Sequence, residues 1–358
     1  MNGEKQQEAR PLISVSLLLW HSKKYVKNCL ESLFAQTYGN FELLVANNNE
    51  PGYEDNGLEE YREFVKKTSP QQKIEFFDNG GNIGFAAGHN KNTARAGGEY
   101  VFWLNHDVIL APDFLENALK VLKKNPQAYG VQARCLRLKP SEQGWKKTEM
   151  LDTTGLLMLK NRRIIGRGQG QPADGSYLRE EEIFGVDGAV PVFCREALED
   201  VKLCLNRHCE YMDEDFLAYK EDVDLAWRFK LFGWKAIYSP DVVAWHARGS
   251  GDSAQKNYIG IVKERLKIND FSKKLSFRNQ RLMQIKNETW PLLLLHLPRF
   301  LAKEILAWGY FLIFEWRNRE AVKGIVKLMP KMWKKRRIIQ RKRKERGIGL
   351  REMKKWFA

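Results

Sequence analysis

The chain has 358 residues with 43% hydrophobic and 12% aromatic content, which supports a full core and excludes wholesale disorder. Its formal net charge of +16 is unevenly placed: residues 1–253 carry net −4, and residues 254–358 carry +20 from 28 Lys+Arg against 8 Asp+Glu. Basicity is therefore a property of the C-terminal third, a pattern that points to phosphate-rich surfaces such as anionic lipid or nucleic acid.

Segment 1–11 is polar and lacks the apolar stretch of a secretory signal, so a cytoplasmic chain is expected. Five scattered cysteines suit a reducing compartment, and Cys204, His208 and Cys209 lack the second ligand pair of a zinc site. From Leu12 the run LISVSLLLW predicts a strand, and Val26, Leu30, Leu33 and Phe34 at helical spacing predict a helix. FELLVANNNEPG reads as a second strand running into Asn47, Asn48 and Asn49. LEEYREFVKK reads as a helix and KIEFFDNG as a third strand. The loop NGGNIGFAAGHN then leads into a helix, and its glycines let backbone approach a phosphate or sugar. It lacks the residue order of dinucleotide and ATP loops.

Tyr100–Val108, YVFWLNHDV, is a charge-free run of strand length that turns polar at Asn105, His106 and Asp107. Such a run predicts a strand buried on both faces. Strands alternating with helices predict a parallel sheet with right-handed crossovers over the first ~130 residues. Chemistry in such sheets sits beyond the carboxyl ends of the strands. Asp107 there suits a divalent cation that in turn holds a phosphate; as an alternative, it caps the helix that Pro112 and Asp113 begin.

The middle of the chain changes character. Two short apolar runs around KNRR (160–163) predict a β-hairpin or flap, and VDGAVPVFCREALEDV predicts a strand with a helix after it. FLAYKEDVDLAWRFKLFGWKAIYSPDVVAWH predicts a helix, a break at Gly233 and two short strands ending at His246. Glu221, Asp222 and Asp224 suit a helix start, where acids oppose the dipole. Adjacent carboxylates at a sheet end also repel, raising one pKa toward that of a general base. His246 reads as a packed histidine or, with Asp107 as partner, as a ligand for Mg²⁺ or Mn²⁺.

Beyond residue 253 helical patterns take over. WPLLLLHLPRFLAKEILAWGYFLIFEW is very apolar, but its charge-free run Ile305–Phe314 falls short of the ~20 residues of a spanning helix. With the basic KLMPKMWKKRRIIQRKRKERG after it, the segment predicts helices lying in the plane of an anionic membrane surface. Packing on the chain's own domain is the other reading. The basic run lacks the regularly interleaved aromatics of a single-strand platform and any helix-turn-helix or zinc-finger spacing, so no nucleic acid partner is expected.

Taken in order, LLVANNNE, NGGNIGFAAGHN, WLNHDV, DGAVPVFCREALEDV and DEDFLAYKEDVDLAWRFKLFGWKAIYSPDVVAWH resemble the family 2 inverting glycosyltransferases of the GT-A fold. The resemblance covers about residues 12–250 and is greatest to the bacterial rhamnosyltransferase and galactofuranosyltransferase-like group. It implies an α/β fold with a Rossmann-like, mainly parallel sheet flanked by helices, plus a C-terminal helical extension. It divides the chain into a polar segment 1–11, a glycosyltransferase domain 12–253 and a basic membrane-associating region 254–358. Within the domain, 12–135 would be the nucleotide-sugar half and 136–253 the acceptor half.

The resemblance also implies roles. Asn47 matches the acid that reads the base; Asn82, Gly84, Asn105 and Asp107 fall on the donor nucleotide-sugar. Asp107 and His246 match metal ligands and Asp222 the catalytic base, with Glu221, Trp227 and Trp245 toward the acceptor. Asn47 and Asn105 replace acids, but an amide still bonds a uracil or thymine edge and donor diphosphate oxygens supply metal ligands. The implied activity is metal-dependent transfer, with inversion, of a hexose such as rhamnose from a dTDP-, UDP- or GDP-sugar. The acceptor would be a hydroxyl of a glycan or lipid-linked molecule in cell wall or O-antigen polysaccharide biosynthesis. The enzyme would be peripherally attached to the inner face of the cell membrane. A non-catalytic lipid- or nucleic-acid-binding protein and a nucleotidyltransferase are the alternatives.

Overall fold

A computed structural model describes residues 10–68, 70–142, 144–248 and 257–358. The first part alternates as the sequence predicts: β1 (Ile13–Leu19), α1 (Val26–Phe34), β2 (Phe41–Asn47), α2 (Leu58–Thr68), β3 (Ile74–Asp78), α3 (Phe85–Arg95) and β4 (Tyr100–Leu104). β1 pairs in parallel with β2 and β4, and β2 with β3. Every residue of β1 and β2 is buried, as continuous apolar strands covered on both faces require. Side chains alternate across β4. Val101 and Trp103 join a core with Tyr129, Phe193 and Phe229, while Phe102 and Leu104 pack with Leu30 and Phe114 on the other face.

There follow β5 (Val108–Leu110), α4 (Phe114–Lys124), β6 (Ala128–Ser141), β7 (Gly144–Thr153), and the short β8 (Leu156–Met158) and β9 (Ile164–Gly166). β8 and β9 form the hairpin expected around KNRR. The longer β6–β7 hairpin was not expected, because Arg134, Arg137, Lys146 and Lys147 interrupt the apolar pattern there. Next come β10 (Glu181–Ile183), β11 (Val192–Cys194), α5 (Arg195–Val201), β12 (Leu203–Leu205), β13 (His208–Glu210), α6 (Glu221–Leu231) and β14 (Lys235–His246).

The large sheet runs β10-β14-β6-β11-β4-β1-β2-β3, with β5 on β14 and β7 on β6. β11 is antiparallel to both neighbours, so the sheet is mixed, with parallel pairs on either side of it. The two strands expected before His246 are one, β14, whose register slips between Ser239 and Val243 around Pro240. Cys204 and Cys209 meet across β12 and β13 and are joined as a disulfide, a pairing absent from the sequence reading.

The C-terminal third is helical: α7 (Tyr258–Leu266), α8 (Asp270–Asn287), α9 (Trp290–Leu295), α10 (Leu297–Phe314), α11 (Glu320–Glu345) and α12 (Leu350–Lys354). The expected boundary at 253 lies outside the described residues. Among those described, no helix is long and apolar enough to cross a membrane. Met283 of α8 and Met332 and Ile339 of α11 share a core with Phe229 and Phe232 of the preceding domain. Trp227, expected toward the acceptor, lies in that core, 1% exposed and edge-on to Phe357.

Buried charge also joins the two parts. Lys286 Nζ lies 2.5 Å from Asp213 Oδ2 and 2.6 Å from Asp224 Oδ2, all fully buried. Lys335 Nζ reaches Glu210 Oε1 at 2.5 Å and Asp213 Oδ1 at 2.6 Å. Part of the C-terminal positive charge therefore answers acids of the body. Lys286→Met leaves Asp213 and Asp224 short of a counter-ion and is expected to cost about 3–5 kcal/mol in urea unfolding. An unchanged midpoint would contradict the network.

Candidate active site

The carboxyl ends of β1 to β4 gather the polar residues singled out in the sequence. Asn47 and Asp78 are register partners at the ends of β2 and β3, and Asn47 Nδ2 donates to Asp78 Oδ2 at 3.0 Å. This bond and one from the Gly80 N–H hold the Asp78 carboxyl below its usual range. A carboxylate therefore stands beside Asn47, one strand over. Asn82 accepts from the Gly84 N–H at 3.0 Å and donates to Glu50 Oε1 at 3.1 Å, which shapes the glycine loop. Trp20, His21 and Tyr53 stack beside it, with ring centroids 4.2 and 3.8 Å apart. Sequence reasoning missed this stack, since Tyr53 lies 32 residues beyond His21 and the three follow no motif.

Strand pairing explains how Asp107 meets His246. β5 runs antiparallel to β14 with Val108 opposite His246, and the Ala247 N–H donates to Asp107 O at 2.9 Å. His246 Nε2 then lies 3.3 Å from Asp107 Oδ1, while Nδ1 is 2.8 Å from Asp152 Oδ2. Asp152, unnoticed in the sequence, ends β7 and also binds Arg248 Nη1 at 2.8 Å. Burial disfavours an imidazolium, but Asp107 and Asp152 outweigh it and raise His246 to about 10. Burial likewise opposes ionisation of Asp107, and His246 outweighs it, holding that carboxyl well below its usual range.

This donor set fits a hard divalent cation. Two atoms each ~2.1 Å from one octahedral ion stand about 3 Å apart, close to the Nε2–Oδ1 separation. Asp152 on Nδ1 would orient the ring and direct Nε2 to the ion, a common support for metal-binding histidines. Cys135 also lies within reach of Asp152 and His246. Burial pushes its thiol well up, however, and a soft, protonated ligand suits neither Mg²⁺ nor Mn²⁺. Binding at Nε2 displaces a proton, so affinity should rise with pH.

The second carboxylate group lies at the start of α6. Asp222 Oδ2 accepts from the Gly188 N–H at 3.1 Å, and the next residue, Ala189, accepts from the Asn105 N–H at 3.1 Å. The turn at 187–189 therefore ties the β4 end to Asp222. Glu221 is buried, and its Oε2 has no hydrogen-bond partner among the described residues. Burial and then the Asp222 charge push its pKa well above the usual carboxylate range. Such an upward shift is expected for one of two adjacent carboxylates. Asp187, also missed, is raised by burial and by Asp152 and Asp222. Trp245 precedes His246 on the strand and so points to the opposite face, with Lys147 Nζ 4.1 Å from its ring centre.

Residues 14–173 match the family described as Glycosyl transferase family 2, a range that includes the glycine loop, Asp107 and Asp152. The chain is 27% identical over 120 residues to an uncharacterized glycosyltransferase of Rickettsia typhi, covering 34% of this chain and 35% of that one. It is 24% identical over 297 residues to poly-beta-1,6-N-acetyl-D-glucosamine synthase of Staphylococcus epidermidis, covering 78% and 62%. It thus spans less than two thirds of either relative's length. Among solved structures, GalNAc-T7 with UDP, GalNAc and Mn²⁺ shares the fold at a TM-score of 0.54 and 12% identity, over 77% of this chain and 52% of that one. Residues 14–173 thus resemble family 2 glycosyltransferases, and the chain shares its fold with GalNAc-T7.

Removing the carboxylate that orients His246, in Asp152→Ala, is expected to weaken Mn²⁺ binding about 10–100-fold in calorimetric titrations with UDP present. Unchanged affinity would contradict the assignment of Asp152.

Proposed function

We propose that the protein is an inverting, metal-dependent glycosyltransferase that moves a hexose from a nucleoside-diphosphate sugar to a hydroxyl of a glycan or lipid-linked acceptor. The reading rests on one observation above the others: consecutive residues Gly188 and Ala189 tie Asp222 to the strand end that carries Asn105 and Asp107. In this reading Asn47 and Asp78 bond the edge of the base, and the loop at Asn82 and Gly84 receives the diphosphate. Asp107 and His246 hold Mg²⁺ or Mn²⁺, which when bound offsets charge on the departing diphosphate. Asp222 takes the proton from the acceptor hydroxyl, and burial and the Asp222 charge push the neighbouring Glu221 carboxyl up, so that Glu221 is the weaker acid for its surroundings. The relative in Staphylococcus epidermidis, named as a polysaccharide synthase, supports a role in cell-surface polysaccharide synthesis. Rhamnose is the sugar favoured by the sequence resemblance.

The acceptor would be met at the cytoplasmic face of the membrane. On α10, Leu301, Ile305 and Leu312 recur at helical spacing, and Ile305, Ile313 and Phe314 are 69%, 72% and 71% exposed. Arg299, Arg317 and Arg319 lie exposed at its two ends. An apolar stripe edged by cations suits an anionic leaflet.

Release of nucleoside diphosphate from a panel of UDP-, dTDP- and GDP-sugars tests the reaction. One donor should be turned over, and Asp222→Asn should slow it about 10²–10⁴-fold. Wild-type turnover by Asp222→Asn would remove the base assignment. For the surface, replacing Ile305, Ile313 and Phe314 together by Ser should weaken binding to phosphatidylglycerol vesicles at least about 100-fold. Undiminished cosedimentation would sink the membrane reading.

A further inference from the structure

Just before Asp222 the backbone is forced into an unusual path. Leu217, Tyr219 and Lys220 have φ of 64°, 68° and 76°, three left-handed non-glycine residues within four positions. Each such residue costs on the order of 1 kcal/mol and persists only where surroundings hold it. What holds it is Asn279, fully buried on α8. Its Nδ2 lies 2.9 Å from Phe216 O, 2.8 Å from Ala218 O and 2.8 Å from Tyr219 O. Its Oδ1 accepts from Arg278 Nε at 2.9 Å, which orients the amide with its hydrogens toward the three carbonyls. Arg278 Nη2 adds a bond to Asp215 O at 2.7 Å.

The same segment reaches the donor side. Leu217 O accepts from the Phe85 N–H at 2.9 Å. Gly84 has φ 91°, and a Cβ there would stand 2.7 Å from Leu217 O and 2.6 Å from its Cδ1. Five residues therefore touch the glycine loop, α8 and the first turn of α6 at once.

We infer that Asn279 is a positioning residue: it fixes the strained segment Phe216–Lys220 and, through it, the placement of Asp222 against the donor loop. The inference rests on the reading of Asp222 as the base. It gives the C-terminal helices a part in catalysis, apart from any membrane contact. Alanine lacks the donor, and aspartate, of the same shape, would set oxygens against three carbonyl oxygens.

The test uses the full chain with Asn279→Ala and Asn279→Asp, read by amide hydrogen exchange and by diphosphate release from the donor that the sugar panel selects. Exchange at Phe85 and across 217–223 should rise at least about tenfold in both variants, with α11 unchanged. Turnover should fall about 10–100-fold in kcat, with the donor KM within about twofold. Asn279→Asp should be no better than Asn279→Ala, although a purely space-filling role would spare it. Unchanged exchange at Phe85 and 217–223, or an equal rise throughout α8 and α11, overturns the inference without reference to any donor. If Asp222→Asn is inactive while Asn279→Ala keeps wild-type kcat, the positioning role fails alone. If Asp222→Asn stays active, the base reading fails instead, and the exchange result still decides what Asn279 holds.

Discussion

Lys286 sits without solvent between Asp213 and Asp224, and much of the architecture follows from that buried charge. An ammonium withdrawn from water needs nearly full compensation by opposed charge and hydrogen bonds. Asn287 completes the shell by donating to Asp224 Oδ1 at 2.7 Å. Acids of the body meet lysines of the C-terminal helices, and Arg162 of the body meets Glu288 beyond α8, so buried charge is paired across the junction in both directions. Asp224 follows Asp222 by two residues, hence the same pairing locates the first turn of α6. Charge asymmetry along the chain is in this respect a folding device, with the remainder of the positive charge left for the surface.

At the cleft the constraint is different. His246 is clamped by carboxylates on both nitrogens, which settles the ring orientation and leaves Nε2 toward Asp107. Asn47 has a carboxylate beside it, Asp78 across the β2–β3 pair, and Asp152 lies on the far side of His246 from Asp107.

Local signals carried the first half of the fold. Apolar runs such as YVFWL and helical spacing such as Val26, Leu30 and Leu33 report burial directly, and each gave the correct element. Asp107, Asp222 and His246 drew notice in the sequence because they stand between two strands, in the first turn of α6 and at the end of β14, where polar residues interrupt apolar runs. The β6–β7 hairpin was illegible because its basic residues obscure the strand period, and Asp152 went with it. Asp187 and Asn279 act through long-range contacts that no spacing announces. Trp227 lies in the core and Trp245 on the strand face opposite His246, placements that composition does not announce.

The central claim is that one divalent cation sits between Asp107 and His246 at the donor end of the cleft. Electron spin-echo spectroscopy of Mn²⁺ bound with UDP addresses it most directly, since a coordinated imidazole nitrogen modulates the echo. The account predicts that modulation in the wild-type protein and its loss in His246→Gln. Bound Mn²⁺ with no nitrogen coupling, or with coupling that survives His246→Gln, would contradict it.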